Sequence, residues 1–385
     1  MIPYGRQDIN QEDINAVIEV LRSDFLTQGP QVPKFEEVVR LQASAEYAVA
    51  VNSATSALHI ACLALGLGEG DYLWTTPITF VATANCGIYC GAKVDFVDID
   101  PLTYNLSADA LEDRLIRAKQ LGTLPKVVIP VHFAGQSCDM KRIHQLSQEY
   151  GFKIIEDASH AIGGQYLNKP IGCCEYSDIT IFSFHPVKIV TTAEGGVATT
   201  NQSELFEKMG LLRSHGVTRN PKLMTKEVDG SWHYQQVGLG FNYRLTELQA
   251  ALGVSQMQRL IDFVKKRHVL QERYHDKLAG LPITLPFQSE NSYSALHLYP
   301  IQLELNNISK THKEVFDELR ESGLGVNLHY IPVHTQPFYQ RMGFSEGDFP
   351  VAESYYKHAI SIPLYQGLSF EKQDQVIDIL TKVLS

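Results

Sequence analysis

Short apolar runs alternate with amphipathic segments through the first 200 residues of the chain. The runs have the length of buried strands and lie at residues 47–51, 72–75, 94–97, 126–132, 153–156, 179–183 and 196–200. Apolar residues recur at helical spacing in segments 8–22, 34–41, 54–65, 80–90, 108–121 and 140–150. Strands that alternate with helices predict a mostly parallel sheet covered by helices on both faces.

The pattern changes after residue 252. Residues 253–280 indicate one long helix, and shorter strands and helices follow at 298–303, 312–322, 326–329, 354–359 and 372–384. We therefore predict a large α/β domain at 1–252, including an N-terminal arm, and a linking helix with a small α+β domain at 253–385. Residues 217–236 have no clear period, which is typical of a functional or mobile loop.

Composition narrows the functional classes. The 385 residues are 44% hydrophobic and 20% charged, as in ordinary globular proteins. A formal charge of −10 argues against a nucleic-acid partner, which needs a basic face. Residues 47–68 and 72–92 are uncharged and long enough to cross a bilayer, but their many polar side chains favour a buried ligand site. The N-terminus lacks the pattern of a signal peptide, so we expect a cytoplasmic protein with no membrane partner.

Neither the cysteines nor the histidines predict a metal site. The six cysteines contain no C-x-x-C pair, which fits reduced and partly buried thiols. His329 and His334 are five residues apart but have no carboxylate at a suitable spacing.

Two segments place polar side chains at the predicted ends of strands. Asn52-Ser-Ala-Thr-Ser56 joins a strand to a helix, and it fits either a simple N-cap or an anion site of free backbone N–H groups. The strand at 153–156 delivers Glu156, Asp157 and His160 at its carboxyl end. Open α/β sheets bind ligands at this edge, although a carboxylate there can equally be structural.

Lys188 lies between an apolar strand and the turn that contains Gly195 and Gly196. A lysine in a cleft of low dielectric has a lowered pKa and can act as nucleophile and base, whereas most lysines are solvated surface groups. Thirty-one residues separate Asp157 from Lys188, which is enough for one excursion and one new strand. This spacing predicts both side chains at the same edge of the sheet.

Together these segments resemble the DegT/DnrJ/EryC1/StrS family of sugar-nucleotide aminotransferases, from Tyr4 to the last helix. The most specific matches are Ser183-Phe-His-Pro-Val-Lys-Ile-Val-Thr-Thr-Ala-Glu-Gly-Gly196 and Gly240-Phe-Asn-Tyr-Arg244. Segments 75–85 and 213–216 are most similar to the branch that serves pseudaminic acid biosynthesis. The resemblance implies the aspartate aminotransferase fold (fold type I) and pyridoxal 5'-phosphate (PLP) as cofactor. His160 departs from the pattern, because many relatives have glutamine there.

The resemblance also implies a role for each candidate residue. Lys188 would bind the cofactor covalently and move protons, and Asp157 would pair with the pyridinium nitrogen. The other cofactor contacts would be Ala54, Thr55, Phe80, His160 and Ser183, joined by Asn242 of a second subunit. The residues that would line the sugar-nucleotide pocket are Tyr4, Asp24, Phe25, Leu26, Thr27, Ala54, Ser183, Asn327, Leu328, His329 and Tyr330. The alternative for Tyr4, Asp24 to Thr27 and Asn327 to Tyr330 is that they belong only to a surface loop and an edge strand.

The implied protein is a homodimer with composite active sites. It would move an amino group from glutamate to C4 of a UDP-linked 4-keto-6-deoxy-N-acetylhexosamine. One alternative is another sugar-nucleotide transaminase that makes GDP-perosamine, a UDP-linked 4-amino-arabinose or a dTDP-amino sugar. A non-catalytic PLP-binding regulator is a second alternative, and the presence of Lys188 argues against it.

Overall fold

The computed structural model describes every residue from Met1 to Ser385. Its helices are α1 Gln11–Leu21, α2 Gln31–Ala43, α3 Ala54–Ala64, α4 Ala82–Tyr89, α5 Ala108–Leu121, α6 Met140–Tyr150, α7 Ser203–Arg213, α8 Glu247–Met257, α9 Leu260–Lys277, α10 His312–Glu321, α11 Pro337–Gln340, α12 Pro350–His358 and α13 Phe370–Leu384. Its strands are β1 Ile2–Pro3, β2 Tyr47–Val51, β3 Tyr72–Thr75, β4 Lys93–Phe96, β5 Val127–Ile129, β6 Lys153–Asp157, β7 Gln165–Tyr166, β8 Lys169–Pro170, β9 Ile179–Ser183, β10 Gly196–Thr200, β11 Val217–Thr218, β12 Gln235–Gln236, β13 Ile283–Thr284, β14 Ser292–Tyr293, β15 Tyr299–Leu303, β16 Leu324–Gly325 and β17 Ala359–Ile362.

A seven-stranded sheet forms the centre of the larger part of the molecule, in the order β2-β10-β9-β6-β5-β3-β4. β10 is antiparallel to both of its neighbours, and the other neighbouring pairs are parallel. Alternate residues of β2 belong to two different hydrophobic clusters. Val49 and Val51 pack with α3 and α4, whereas Ala48 and Ala50 pack with α2, α8 and the start of α9. The predicted mostly parallel sheet with helices on both faces is therefore confirmed.

The C-terminal part has its own core of 22 buried residues, between residues 270 and 384. It surrounds the antiparallel sheet β13-β15-β17. The N-terminal arm also contacts this part, because β1 pairs in parallel with β16 and Ile2 lies opposite Leu324. Val254 and Phe263 still pack against the large sheet, so the proposed domain division at 252/253 stays a prediction.

The single long helix predicted at 253–280 is wrong. The structure has two helices, α8 and α9, which are separated at Gln258 and Arg259. The break turns Arg259 towards α1, where its guanidinium donates to carboxylate oxygens of Asp8 and Asp13 at 2.5 Å each. Asp13 is fully buried and also accepts from Gln256 at 2.6 Å, so the break provides the hydrogen bonds that its carboxylate needs.

The strand predicted at 326–329 is also wrong. The regular strand in this part of the chain is β16, which ends at Gly325. Beyond it, the backbone forms a single isolated bridge, between Asn327 and Ser361. The backbone N–H of Leu328 donates to the side chain of Asn327 at 2.9 Å and not to a neighbouring strand. This local hydrogen bond competes with ladder pairing, and the segment then lines a cavity.

The helices of the chain are all too short or too polar to cross a membrane. No group of three or more histidine, cysteine, aspartate or glutamate side chains is placed to hold a metal ion.

Candidate active site

A cavity of about 590 Å³ lies at the carboxyl end of the central strands, and residues of both parts of the molecule line it. β6 ends at Asp157 and β9 ends at Ser183, and these two strands are parallel neighbours. The predicted residues that line the cavity are Tyr4, Ala54, Thr55, Phe80, Asp157, His160, Ser183, Lys188, Asn327, Leu328, His329 and Tyr330. The predicted meeting of Asp157 and Lys188 at one edge of the sheet therefore holds.

The carboxylate of Asp157 is buried and held on both oxygens. Oδ2 accepts from the Thr83 hydroxyl at 2.7 Å, and Oδ1 accepts from the backbone N–H of Ser159 at 3.1 Å. Thr83 is in turn 2.8 Å from the Thr79 hydroxyl. These hydrogen bonds fix the orientation of the carboxylate in the cavity wall.

Lys188 lies in the cavity wall and is only partly exposed. Burial lowers the pKa of its amine to about 8, although the nearby Asp157 carboxylate acts in the opposite direction. A lysine with such a pKa has a substantial fraction of free amine near neutral pH, which is the form that attacks a carbonyl carbon.

The start of α3 contributes backbone donors to the cavity. Ser53 is the N-cap, and its hydroxyl accepts from the Ser56 N–H at 3.1 Å. The N–H groups of Ala54 and Thr55 belong to the first turn and have no intrahelical partner, so they are available to an anion. The N-cap and the anion site are thus compatible. A Cβ atom on Gly196 would lie 2.5 Å from backbone atoms of Ser53 and Ala54, so only glycine allows β10 to approach so closely.

His160 is held in one orientation by two hydrogen bonds. Its Nδ1 accepts from the backbone N–H of Ala134 at 3.3 Å, so Nε2 carries the proton and donates to the Tyr330 hydroxyl at 3.1 Å. Burial, then the charge of Lys188, then His329 hold the pKa of His160 well below its usual range. A neutral imidazole is therefore the form present in the cavity.

Aromatic side chains form the remaining wall. Phe80 is 60% exposed although almost all of its neighbours are buried, and this exposed ring face lies in the cavity. Its ring centroid is 6.5 Å from that of Tyr330. Tyr4 packs edge-on against His329 at 5.1 Å, which brings the N-terminal arm to the same wall. This arrangement offers flat apolar surface to a planar ring.

Five predicted residues lie outside the cavity of their own chain, and all five are exposed. They are Asp24, Phe25, Leu26, Thr27 and Asn242. The carbonyl of Leu26 accepts from the N–H of Glu247 at 3.1 Å, which ties the first loop to the start of α8. Asn242 pairs with Ser214 through the backbone, so its segment is ordered while its side chain faces outwards. These five residues therefore do not contribute to the cavity of their own chain.

Sequence reasoning missed several residues of the cavity. Thr79 and Thr83 lie in the uncharged stretch at 72–92 that favours a buried ligand site, but no pattern there assigns a role to either residue. Thr83 donates to Asp157, and Thr79 is 2.8 Å from the Thr83 hydroxyl. His297 packs its ring 4.5 Å from that of His160 and is buried, but it belongs to no motif. Its nearest signal is its position next to the predicted strand at 298–303.

Comparison with known proteins agrees with this geometry. The profile of the DegT/DnrJ/EryC1/StrS aminotransferase family matches residues 7–381. The chain belongs to that family. The spore coat polysaccharide biosynthesis protein SpsC of Bacillus subtilis is 38% identical over 386 residues, with 100% of this chain and 97% of that protein covered. The UDP-4-amino-4,6-dideoxy-N-acetyl-beta-L-altrosamine transaminase of Campylobacter jejuni serotype O:2 is 36% identical, with 100% and 98% covered.

Two solved structures show the same fold over the whole chain. Helicobacter pylori PseC, an aminotransferase of pseudaminic acid biosynthesis, has a TM-score of 0.89 and 32% identity, with 100% of this chain and 99% of that chain covered. Spr1654 of Streptococcus pneumoniae in its PLP form has a TM-score of 0.88 and 30% identity, with 100% of both chains covered. This protein is accordingly a PLP-dependent sugar aminotransferase of fold type I.

The residues of the cavity fit PLP group by group. The exposed face of Phe80 suits a pyridine ring, and the Asp157 carboxylate suits a protonated ring nitrogen. The Lys188 amine suits an aldehyde, and the free N–H groups at the start of α3 suit a phosphate.

Proposed function

We propose that this protein transfers an amino group from glutamate to C4 of a UDP-linked 4-keto-6-deoxy-N-acetylhexosamine, as a step of pseudaminic acid biosynthesis in the cytoplasm. The observation that carries the proposal is the pairing of Asp157 and Lys188 in a single cavity. The similarity to the Campylobacter transaminase and to PseC supports the choice of sugar. A cavity of about 590 Å³ is roomy enough for a cofactor together with a sugar.

The chain's own residues have distinct tasks in this proposal. PLP, when bound, supplies an aldehyde that accepts the amino group and a ring that delocalises the electron pair released at the amino carbon. Asp157 keeps the ring nitrogen protonated, because its carboxylate is fixed by Thr83 and Ser159. Lys188 takes the proton from the donor's amino carbon and, in the second half of the reaction, gives one to C4 of the sugar. Ala54 and Thr55 bind the phosphate through their backbone N–H groups.

A different sugar nucleotide is the main alternative. SpsC, which is 38% identical, is named for spore coat polysaccharide biosynthesis, so a GDP-, dTDP- or other UDP-linked keto sugar remains a candidate. The wall formed by Tyr4 and residues Asn327 to Tyr330 is the surface that would distinguish these sugars. The match to an aminotransferase family and the presence of Lys188 in the cavity argue against a non-catalytic PLP-binding regulator.

Turnover of a small panel tests the proposed substrate. The purified protein is incubated with glutamate and with UDP-, GDP- or dTDP-linked 4-keto-6-deoxy sugars, and amino-sugar formation is followed by mass spectrometry. We expect the UDP-linked N-acetylhexosamine to have the highest kcat/KM. A preference for a GDP- or dTDP-linked sugar would replace the proposed substrate, and failure of glutamate with efficient turnover of another amino acid would replace the proposed donor.

The lowered pKa of Lys188 predicts how the cofactor-free protein captures PLP. Only the unprotonated amine attacks the aldehyde, so the capture rate should rise with pH and level off above the pKa of about 8. The measurement is the growth of visible absorbance after mixing, with Nα-acetyl-lysine as the control for an ordinary amine. A rate that still climbs steeply between pH 9 and pH 10 would contradict this environment for Lys188.

We further propose a homodimer in which Asn242 of each subunit contacts the cofactor phosphate of the other. The exposed position of Asn242 outside its own cavity supports this proposal. The loop at Asp24 to Thr27 is exposed in the same way, and we propose that it completes a sugar-nucleotide pocket between subunits. A composite site would bind PLP poorly in a monomer.

Complementation between two inactive variants tests the shared site. Lys188→Ala removes the nucleophile, and Asn242→Asp places a negative charge beside the proposed position of the phosphate. A mixed dimer would contain one site with both residues intact and one with neither. Random pairing at equal amounts makes half of the dimers mixed, so recovery should approach about a quarter of wild-type activity. Differential tags identify the mixed dimer. A confirmed mixed dimer without activity would contradict the shared site, and Asn242 would then have only a local structural role in the segment before α8.

A further inference from the structure

His297 is a buried histidine in the wall of the cavity that also contains Lys188. The residue is only 4% exposed, and its ring centroid is 4.5 Å from that of His160. Its Nδ1 is enclosed without a hydrogen-bond partner. Enclosed N–H groups without a partner are rare, so a neutral ring carries its proton on Nε2. Nε2 is the remaining polar atom of the ring and is the one free to face the cavity.

The backbone of His297 is fixed by the segment that also orients His160. Its N–H donates to the carbonyl of Ala134 at 2.8 Å, and the N–H of Ala134 donates to Nδ1 of His160 at 3.3 Å. A Cβ atom on Gly135 would lie 2.6 Å from the nitrogen of Leu296 and 3.0 Å from that of His297, so glycine permits this close approach. The two imidazoles are therefore held at a fixed separation.

Arg267 holds the same segment from another side and brings a buried charge with it. Nη1 donates to the carbonyls of Leu296, His297 and Leu364 at 3.0, 3.2 and 3.0 Å. Nη2 donates to the side-chain oxygen of Gln366 at 2.8 Å. All four acceptors are neutral, and Arg267 is 1% exposed. A buried cation without a carboxylate partner is costly, so a neutral side chain would be expected if these segments only had to be joined.

Positive charge is scarce among the side chains that line the cavity. Asp157 and Glu194 contribute carboxylates, and Lys188 contributes the one ammonium group. The free N–H groups at the start of α3 suit the cofactor phosphate. Burial holds the pKa of His297 well below its usual range, so this ring offers a neutral N–H. A second anion would find both a free N–H and a nearby positive charge where His297 lies in front of Arg267.

We propose that Nε2 of His297 donates a hydrogen bond to a carboxylate of the amino donor, and that Arg267 positions this imidazole and supplies positive charge behind it. This inference rests on the proposed function, because it takes glutamate as the donor. The keto sugar has no carboxylate. The contact therefore serves the donor half of the reaction and not the sugar half.

The first test measures the two half-reactions of the holoenzyme separately. Glutamate bleaches the visible absorbance of lysine-bound PLP in the donor half. In the sugar half, the absorbance returns when the keto sugar is added to protein loaded with pyridoxamine phosphate. His297→Phe keeps a ring against His160 but removes the N–H. We expect its half-saturating glutamate concentration to rise at least about tenfold, as for a lost hydrogen bond to a charged group, with the sugar half changed less than about twofold.

A conservative variant and the wild-type protein complete this test. His297→Gln, whose amide can place an N–H near the position of Nε2, should recover most of the loss. Equal losses in both halves, or an unchanged response of His297→Phe to glutamate, would overturn the inference while leaving the proposed function intact. Failure of glutamate to bleach the wild-type protein would instead overturn the proposed donor, and the inference with it.

The second test measures binding without turnover. Glutarate has the two carboxylates of glutamate but no amino group, and calorimetry gives its dissociation constant for the holoenzyme. Arg267→Gln should raise this constant at least about fivefold, and Arg267→Lys, which keeps a cation, should recover part of the affinity. Arg273→Gln removes the same charge from α9 at an ion pair with Asp374 and should leave the constant unchanged.

His297→Phe keeps the second test decisive if Arg267→Gln does not fold. Its glutarate dissociation constant should rise at least about tenfold, in parallel with the response to glutamate. An unchanged constant in His297→Phe would overturn the carboxylate contact. An unchanged constant in folded Arg267→Gln would overturn the role of the buried guanidinium.

Discussion

Replacement of Lys188 by alanine is expected to reduce transamination by at least about a thousandfold, because the variant loses both the covalent attachment and the proton transfer of one amine. Lys188 lies in the cavity wall with a pKa lowered to about 8, and no other lysine lines that cavity. Amino-sugar formation at saturating glutamate is the measurement. The visible absorbance of lysine-bound PLP should be lost in parallel.

A second variant separates chemistry from charge at this position. Lys188→Arg keeps a cation next to Asp157, but a guanidinium remains protonated and cannot attack an aldehyde. It should therefore be as inactive as Lys188→Ala. Lys153→Ala, at the exposed start of β6, is the matched control and should keep near-wild-type turnover. Near-normal activity of either Lys188 variant would contradict the assignment.

The sequence predicted the positions of candidate catalytic residues best where those positions depend on the order of the strands. Asp157 and Lys188 could be placed at one sheet edge from spacing alone, because parallel strands bring their carboxyl ends together. The alternation of apolar runs with amphipathic segments likewise predicted the central sheet. Both faces of the sheet are buried, so its strands are continuous apolar runs, whereas the helices have apolar residues at helical spacing.

Features that depend on distant contacts could not be read from local pattern. The break between α8 and α9 follows from pairing of Arg259 with Asp8 and Asp13, which lie about 250 residues away in the chain. The roles of Thr83 and His297 depend on which side chain each meets across the fold. The irregular path of the segment that begins at Asn327 reflects a local side-chain hydrogen bond that competes with a strand.

Asp157→Asn is expected to lower the rate by at least about a hundredfold while leaving the fold intact, because it removes a charge from a fixed electrostatic position. The amide is nearly isosteric with the carboxylate. Its oxygen can accept from the Ser159 N–H, and its NH₂ group can donate to Thr83, whose hydroxyl is then free to donate to Thr79. The hydrogen-bond network therefore survives, and only the charge that holds the ring nitrogen protonated is lost.

Two further measurements distinguish this electrostatic effect from structural damage. The thermal midpoint of Asp157→Asn should stay close to wild type, whereas Glu156→Gln, on the same strand, should lower it because the Glu156 carboxylate holds buried His132 at 2.7 Å. In the cofactor-free protein the Asp157 carboxylate raises the pKa of Lys188, so its removal should move the pH profile of PLP capture to lower pH. Turnover within a few-fold of wild type, or an unshifted capture profile, would place the functional carboxylate elsewhere.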